Sequence, residues 1–170
     1  MAAHEPLVGE RATVRAGGPA DVDALLAILA EPSVARWWGA VPEERGGVLR
    51  KLAAGELLVI EADGSVAGGI EWYEETDPDY RHAGIDVYLG SAFQDRGLGT
   101  EAIRMLARHL FDERGHHRLV IDPAADNARA IRCYEKVGFR RVGIMRRYER
   151  GRDGSFHDGL LMDMLRDELT

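Results

Sequence analysis

The chain has 170 residues, 45% of them hydrophobic and 30% charged, with a net charge of −7, which suits one domain with a sizeable core. It contains no run of about 18 apolar residues, no internal repeat and no low-complexity tract, so a transmembrane helix and a solenoid are excluded. One cysteine, Cys133, excludes an internal disulfide and a cysteine-rich metal site and fits a reducing compartment.

In chain order, Met1 to Arg11 reads as a flexible lead-in, and residues 12–170 as a single domain. The lead-in lacks the basic-then-apolar order of a secretory signal, so a cytoplasmic location is expected. Thr13 to Arg15 forms a first strand, Ala20 to Ala30 a helix entered through Pro19 and Asp21, and Pro42 to Ala54 a second helical stretch. Leu57 to Ala62 and Val66 to Tyr73 pair as a hairpin around Asp63-Gly64-Ser65. After a loop from Glu74 to Arg81, Ile85 to Leu89 is a strand. Leu98, Ala102, Ile103, Leu106, Ala107, Leu110 and Phe111 then recur at helical spacing. Leu119 to Ile121 is the next strand, and Asp126 or Asn127 caps a helix whose stripe of Ala130, Ile131, Tyr134 and Val137 is ended by Gly138. Two late strands flank the polar turn from Glu149 to Asp158. The sum is an α/β (α+β) sheet of six or seven strands flanked by helices.

The segment Gln94-Asp95-Arg96-Gly97-Leu98-Gly99-Thr100 lies at a strand-to-helix junction. Without Cβ atoms at Gly97 and Gly99 the backbone can approach an anion, and the first-turn N–H groups point at it. A pyrophosphate fits, with Arg96 as an added cation. The Gly-Lys-Ser/Thr ending of a mononucleotide loop and the third glycine of a dinucleotide fold are both missing. Alone, the segment equally describes a tight turn entering a surface helix. Tyr134, on the inward stripe of its helix, is by itself equally an ordinary core tyrosine. His109, His116 and His117 straddle a helix end without acidic partners at ligand spacing; they read as surface and helix-end residues, and no metal is expected.

The order strand, Q-x-x-G-x-G, helix, strand, N-x-x-A-x-x-x-Y-x-x-x-G-F resembles the GNAT superfamily of acyl-CoA N-acyltransferases over about Thr13 to Leu165. That resemblance implies the GNAT fold, a mixed and mostly antiparallel sheet, and acetyl-CoA as co-substrate. It assigns the CoA pyrophosphate to Gln94, Arg96, Gly97, Gly99 and Thr100, and the pantetheine arm to Asn127. Val87 and Leu89 of the preceding strand join the cofactor-binding set. Tyr134 falls near the thioester sulfur, where a phenol with a pKa near ~10 can protonate the departing thiolate as a general acid.

The acceptor has to be read from other residues. Trp37-Trp38-Gly39 reads equally as a cap on the core and as a stacking face. Trp72-Tyr73-Glu74-Glu75-Thr76-Asp77 is aromatic then acidic, and could equally be a solvated loop. Asp86, Asp122 and Asp158 sit in or beside strand runs, where aspartate is unusual. Several carboxylates about one cleft attract a cationic amine, and one of them can take the proton that an ammonium must lose. Nucleic acid is not expected, because the arginines from Arg140 to Arg152 are offset locally by Glu149, Asp153 and Asp158.

The strings Trp37-Trp38-Gly39, Glu74 to Pro78, Gly84-Ile85-Asp86, Asp122-Pro123, Arg129 to Lys136 and Asp158-Gly159 resemble the aminoglycoside 6′-N-acetyltransferases. By that resemblance Asp86 is the general base, Asp122 binds the amine region, and Trp38, Trp72 and Asp158 line the acceptor pocket with Glu74 and Asp77. This chain departs from the family at Tyr73, which replaces an acidic residue, in the loop from Pro78 to Gly84, and in the longer, more basic Glu149 to His157 hairpin. The implied chemistry is direct transfer in a ternary complex without a covalent enzyme intermediate. A related GNAT enzyme acting on a lysine-like siderophore precursor or a protein N-terminus is the alternative, as is a non-catalytic acyl-CoA-binding module. A monomer and a homodimer are both compatible with the sequence, and no membrane association is expected.

Overall fold

The computed structural model describes residues 5–39 and 42–170. Its strands are β1 (Leu7–Val8), β2 (Thr13–Ala16), β3 (Leu57–Ala62), β4 (Ser65–Glu75), β5 (His82–Leu89), β6 (Arg118–Ile121), β7 (Arg140–Arg150) and β8 (Phe156–Leu165). The helices are α1 (Val22–Ala30), α2 (Pro32–Ala35), α3 (Arg45–Ala54), α4 (Leu98–Asp112) and α5 (Ala128–Val137). Met1 to His4 of the expected lead-in, and residues 40–41, lie outside the described residues.

β3 is apolar on both faces, and a strand of that kind needs cover on both sides. Leu57 and Val59 pack with Val22, Leu25, Val48 and Leu52 of α1 and α3, while Leu58 and Ile60 join Leu98, Ile103, Leu106 and Ile131 of α4 and α5. All seven apolar positions read along α4 are buried, as the helical spacing required. The sheet therefore sits between two helical layers, each closing its own core.

Among the described residues the sheet has eight strands in the order β1-β2-β3-β4-β5-β6-β8-β7, antiparallel except for β5 and β6. This is the expected α/β (α+β) class with one strand more than the sequence suggested. The addition comes from the stretch read as a flexible lead-in, where Leu7 and Val8 pair with Val14 and Thr13. A two-residue strand carries too little pattern to be read from alternation.

Two further differences are local. The first helical stretch opens with a 3₁₀ turn at Pro19–Asp21, where the Asp21 carboxylate accepts from Gly18 N–H and from Arg15. The second begins at Arg45, because Glu44 is extended. Among the described residues no helix is long and apolar enough to cross a membrane.

β5 and β6 matter most. They pair only at Ala83↔Leu119 and Gly84↔Val120, while β5 continues to Leu89. The strands part beyond that point, and among the described residues the β5 edge from Ile85 to Leu89 has no strand partner on the β6 side. Unpaired main-chain groups demand other partners, and the cleft opens there.

Candidate active site

β5 passes through Gly90 and a 3₁₀ turn at Ser91–Phe93 into the loop before α4. Gly97 is the N-cap of α4 with φ of 78°, a left-handed conformation that residues with a Cβ adopt only at a cost. No side chain caps this helix. Its first-turn amides thus remain available at the positive end of the helix dipole. Gly97, Leu98, Gly99 and Thr100 line a cavity of about 320 Å³ together with Asn127 and Arg129.

Gln94 ties this loop to its surroundings. Its Nε2 donates to the Leu89 carbonyl at 2.9 Å, and its Oε1 accepts from Arg129 Nη1 at 2.6 Å. The Asn127 side chain caps α5 by accepting from Ala130 N–H at 3.2 Å. Arg96, expected beside a phosphate, turns away: its guanidinium pairs with Asp63 of the β3–β4 turn at 2.7 Å. The cations that do line the cavity are Arg129, Arg132 and Lys136, at i, i+3 and i+7 on α5. A stripe on one helix face was legible in the sequence but was read only for its apolar members.

A second cavity, of about 640 Å³, is lined by Asp86, Asp122, Glu71, Lys51, Tyr148 and Glu149 among others. Trp37, Trp38, Val87, Asn127 and Tyr134 border both cavities, so the two meet along the open edge of β5. Leu89 lines the first cavity beside Val87. Trp38 stands edge-on to Tyr88 with ring centroids 4.9 Å apart.

Burial pushes the Asp86 carboxyl up to about 7, aided by the negative charges of Asp122, Glu71 and Glu149 and opposed by Lys51. Asp122 is also raised by burial, partly offset by the Tyr148 hydroxyl, which donates to it at 2.8 Å. Tyr134 is 7% exposed, and burial, with Cys133, Asp86 and Asp122 nearby, moves its hydroxyl well above the phenol range. It stays protonated at neutral pH. Cys133 shares a hydrogen bond with Thr100 Oγ1 at 3.2 Å, and burial raises its thiol, the reverse of what a nucleophile needs.

Four residues expected in the acceptor pocket lie elsewhere. Trp72 pairs in register with Ile85, one place before Asp86, so alternation sends it to the opposite sheet face; its Nε1 donates to the Gly55 carbonyl at 2.8 Å. Glu74 is held by Arg114 and by His116, and His116 is buried rather than a surface residue. Asp77 accepts from Asp79 N–H within the exposed β4–β5 loop. Asp158 is exposed and accepts from Arg147 N–H at 2.8 Å, steadying the β7 bulge that precedes Tyr148. Glu71, Lys51, Tyr148 and Glu149 were missed. Glu71 carried the same signal as Asp86, a carboxylate inside an apolar strand run between Ile70 and Trp72.

Residues 23–139 match the acetyltransferase (GNAT) family. The chain belongs to that family. Within it, this chain is 48% identical over 75 residues to an aminoglycoside N(6′)-acetyltransferase type 1 of Klebsiella pneumoniae, a match covering 44% of this chain and 36% of that protein. It is 49% identical over 75 residues to a kanamycin resistance protein of Rhizobium radiobacter, covering 44% of this chain and 68% of that one. The GNAT fold is likewise that of AAC(6′)-Ib solved in complex with ribostamycin and coenzyme A, at 27% identity and a TM-score of 0.74, with 94% of this chain and 96% of that one superposed. The match thus spans little more than a third of the Klebsiella relative's length.

Proposed function

We propose that the chain transfers an acetyl group from acetyl-CoA to a primary amine of a polycationic small molecule, an aminoglycoside bearing a 6′-amine, by direct attack in a ternary complex. One observation carries this reading. Asp86 and Tyr134 both line the acidic cavity where it meets the cavity at the α4 N-terminus, so a base and an acid flank the junction.

Acetyl-CoA supplies the acyl group as a thioester. The first-turn amides of α4 bind its pyrophosphate, assisted by Arg129, Arg132 and Lys136. The unpartnered β5 edge around Val87 holds the pantetheine arm and polarises the thioester carbonyl. Asp86, directly or through water, takes one proton from the acceptor ammonium, and the freed amine attacks the carbonyl carbon. As the C–S bond breaks, Tyr134 gives its proton to the sulfur. The second proton, lost as the amide forms, replaces the one Tyr134 gave up. Asp122 and Glu149 attract the acceptor's other cationic groups.

The test is CoA release from acetyl-CoA against kanamycin-type aminoglycosides, lysine derivatives and peptide amines, with a 6′-hydroxyl aminoglycoside as control. Turnover confined to acceptors with a 6′-amine is the expected result. Turnover of other amines with silence across the aminoglycosides would keep the acetyltransferase chemistry and overturn the acceptor.

A further inference from the structure

Lysines at protein surfaces lay their stems along apolar ground and hold the ammonium in water. Lys51 does not. It lies on the last turn of α3 between the buried Val48 and Leu52, and its Nζ is held at 2.5 Å from Glu43 and 3.1 Å from both Glu71 carboxylate oxygens. All three residues line the acidic cavity. Glu71 is the cross-strand partner of Asp86, so this ammonium sits beside the carboxylate that the proposed chemistry uses as a base.

We propose that Lys51 is a specificity-determining residue of the acceptor cavity: its ammonium fills the subsite formed by Glu43 and Glu71, leaving an acceptor's cationic groups to Asp86, Asp122 and Glu149. The inference rests on that cavity being the acceptor's. Burial pulls the Lys51 pKa down, but Glu43 and Glu71 more than reverse it, so the group remains a cation. An amine entering the cavity therefore meets two carboxylates that already share one ammonium, so half of their charge is cancelled from within. Removing the Lys51 charge turns them into a free ammonium subsite, whereas removing the Glu71 charge leaves Lys51 and Glu43 as a one-to-one neutral pair with no charge left to attract an ammonium. The two changes act in opposite directions on the same acceptor, and combining them returns the cavity to its original net charge.

The experiment uses the full chain with linear amines carrying one to four ammonium groups and the aminoglycosides of the panel. KM is read from CoA release, and affinity by calorimetry with CoA bound, which needs no turnover. Lys51→Met is expected to tighten acceptors with three or more charges on the order of tenfold relative to the monoamine, and Glu71→Gln to weaken them comparably. The double variant should return to the wild-type ranking. Lys51→Arg, which keeps the charge, should leave the ranking unchanged and guards against misreading a folding defect. Equal effects on all acceptors regardless of their charge, or shifts of the same sign in both single variants, would overturn the proposal. Because it turns on acceptor charge, it fails separately from the 6′-amine assignment.

Discussion

Glu71 and Asp86 stand opposite each other across the β4–β5 ladder, two carboxylates on neighbouring strands directed into one cavity. Like charges so placed raise each other's cost of ionisation. Burial pushes the Asp86 carboxyl up to about 7, so with Asp86 as the proposed base kcat/KM should rise with pH through about 7 and then level. Glu71→Gln removes one of the neighbouring charges, so the acid limb should move to lower pH. A profile flat from pH 5 to 9 would remove Asp86 from the rate-determining proton transfer.

Asp86→Asn keeps the side chain's shape and abolishes its basicity. Turnover should fall by at least about a hundredfold, the usual scale of general-base catalysis, with acetyl-CoA affinity within about twofold of wild type. Calorimetry with acetyl-CoA beside a rate assay separates the two, and an equal loss of CoA affinity would sink the assignment.

The same substitution should stabilise the fold. Asp86 binds its proton more tightly when folded than when unfolded, so its ionisation in the folded state destabilises the protein as pH rises from about 4 to about 7. Asn carries no such penalty. Asp86→Asn should gain on the order of 1–3 kcal/mol at pH 8, and the gain should vanish as pH falls toward 4. Denaturant melts at the two pH values measure it.

Tyr134→Phe removes the hydroxyl and leaves the ring among Ile131, Val137 and Phe139. The thiolate can then take its proton from solvent, so kcat should drop by about tenfold, less than for Asp86→Asn. Acyl donors whose thiol is a better leaving group than that of CoA need the proton less and should lose less still.

Arg129 and Arg96 invite a paired test. Arg129 lines the cavity at the α4 N-terminus and holds Gln94, whereas Arg96 is committed to Asp63. Arg129→Ala should weaken CoA on the order of tenfold and Arg96→Ala by less than about twofold. The reverse ranking would show that Arg96 swings to the phosphate when ligand binds.

Gly84 allows the Tyr73 ring to lie on the β5 backbone: a Cβ there would fall 2.1 Å from the ring. Gly84→Ala must displace Tyr73, whose ring is close enough to Asp122 and Asp86 to feel their charge. Acceptor KM should rise several-fold with CoA affinity intact, which steady-state kinetics would read.

Local pattern made much of this molecule legible. The seven-residue stripe of α4, the Asn127 cap and Gly138 stop of α5, and the hairpin turn at Asp63-Gly64-Ser65 are decided by near neighbours in the chain. So is the flagging of Asp86, because a carboxylate inside an apolar strand needs a reason wherever the strand lies. Trp72 shows the limit. Its neighbours in sequence suggested a pocket residue, but one step of alternation past Ile85 decides the sheet face, and the register of β4 on β5 is a long-range fact.

By itself the sequence determined the class of fold, the glycine turn at Gly97 that opens α4, and the two ionisable side chains, Asp86 inside an apolar strand and Tyr134 on the inward stripe of its helix, to which the proposed acid–base chemistry is given, since each is read from a few adjacent residues. Tertiary structure alone decided which charges share a cavity. Lys51, Glu71 and Tyr148 come from three separate elements and Asp122 from the loop after β6, and they meet only because β5 and β6 part after Gly84. It also decided which arginine serves the cavity, by giving Arg96 a carboxylate partner from a hairpin 33 residues away. Electrostatic partnership falls off over a few ångströms of space and takes no account of distance along the chain.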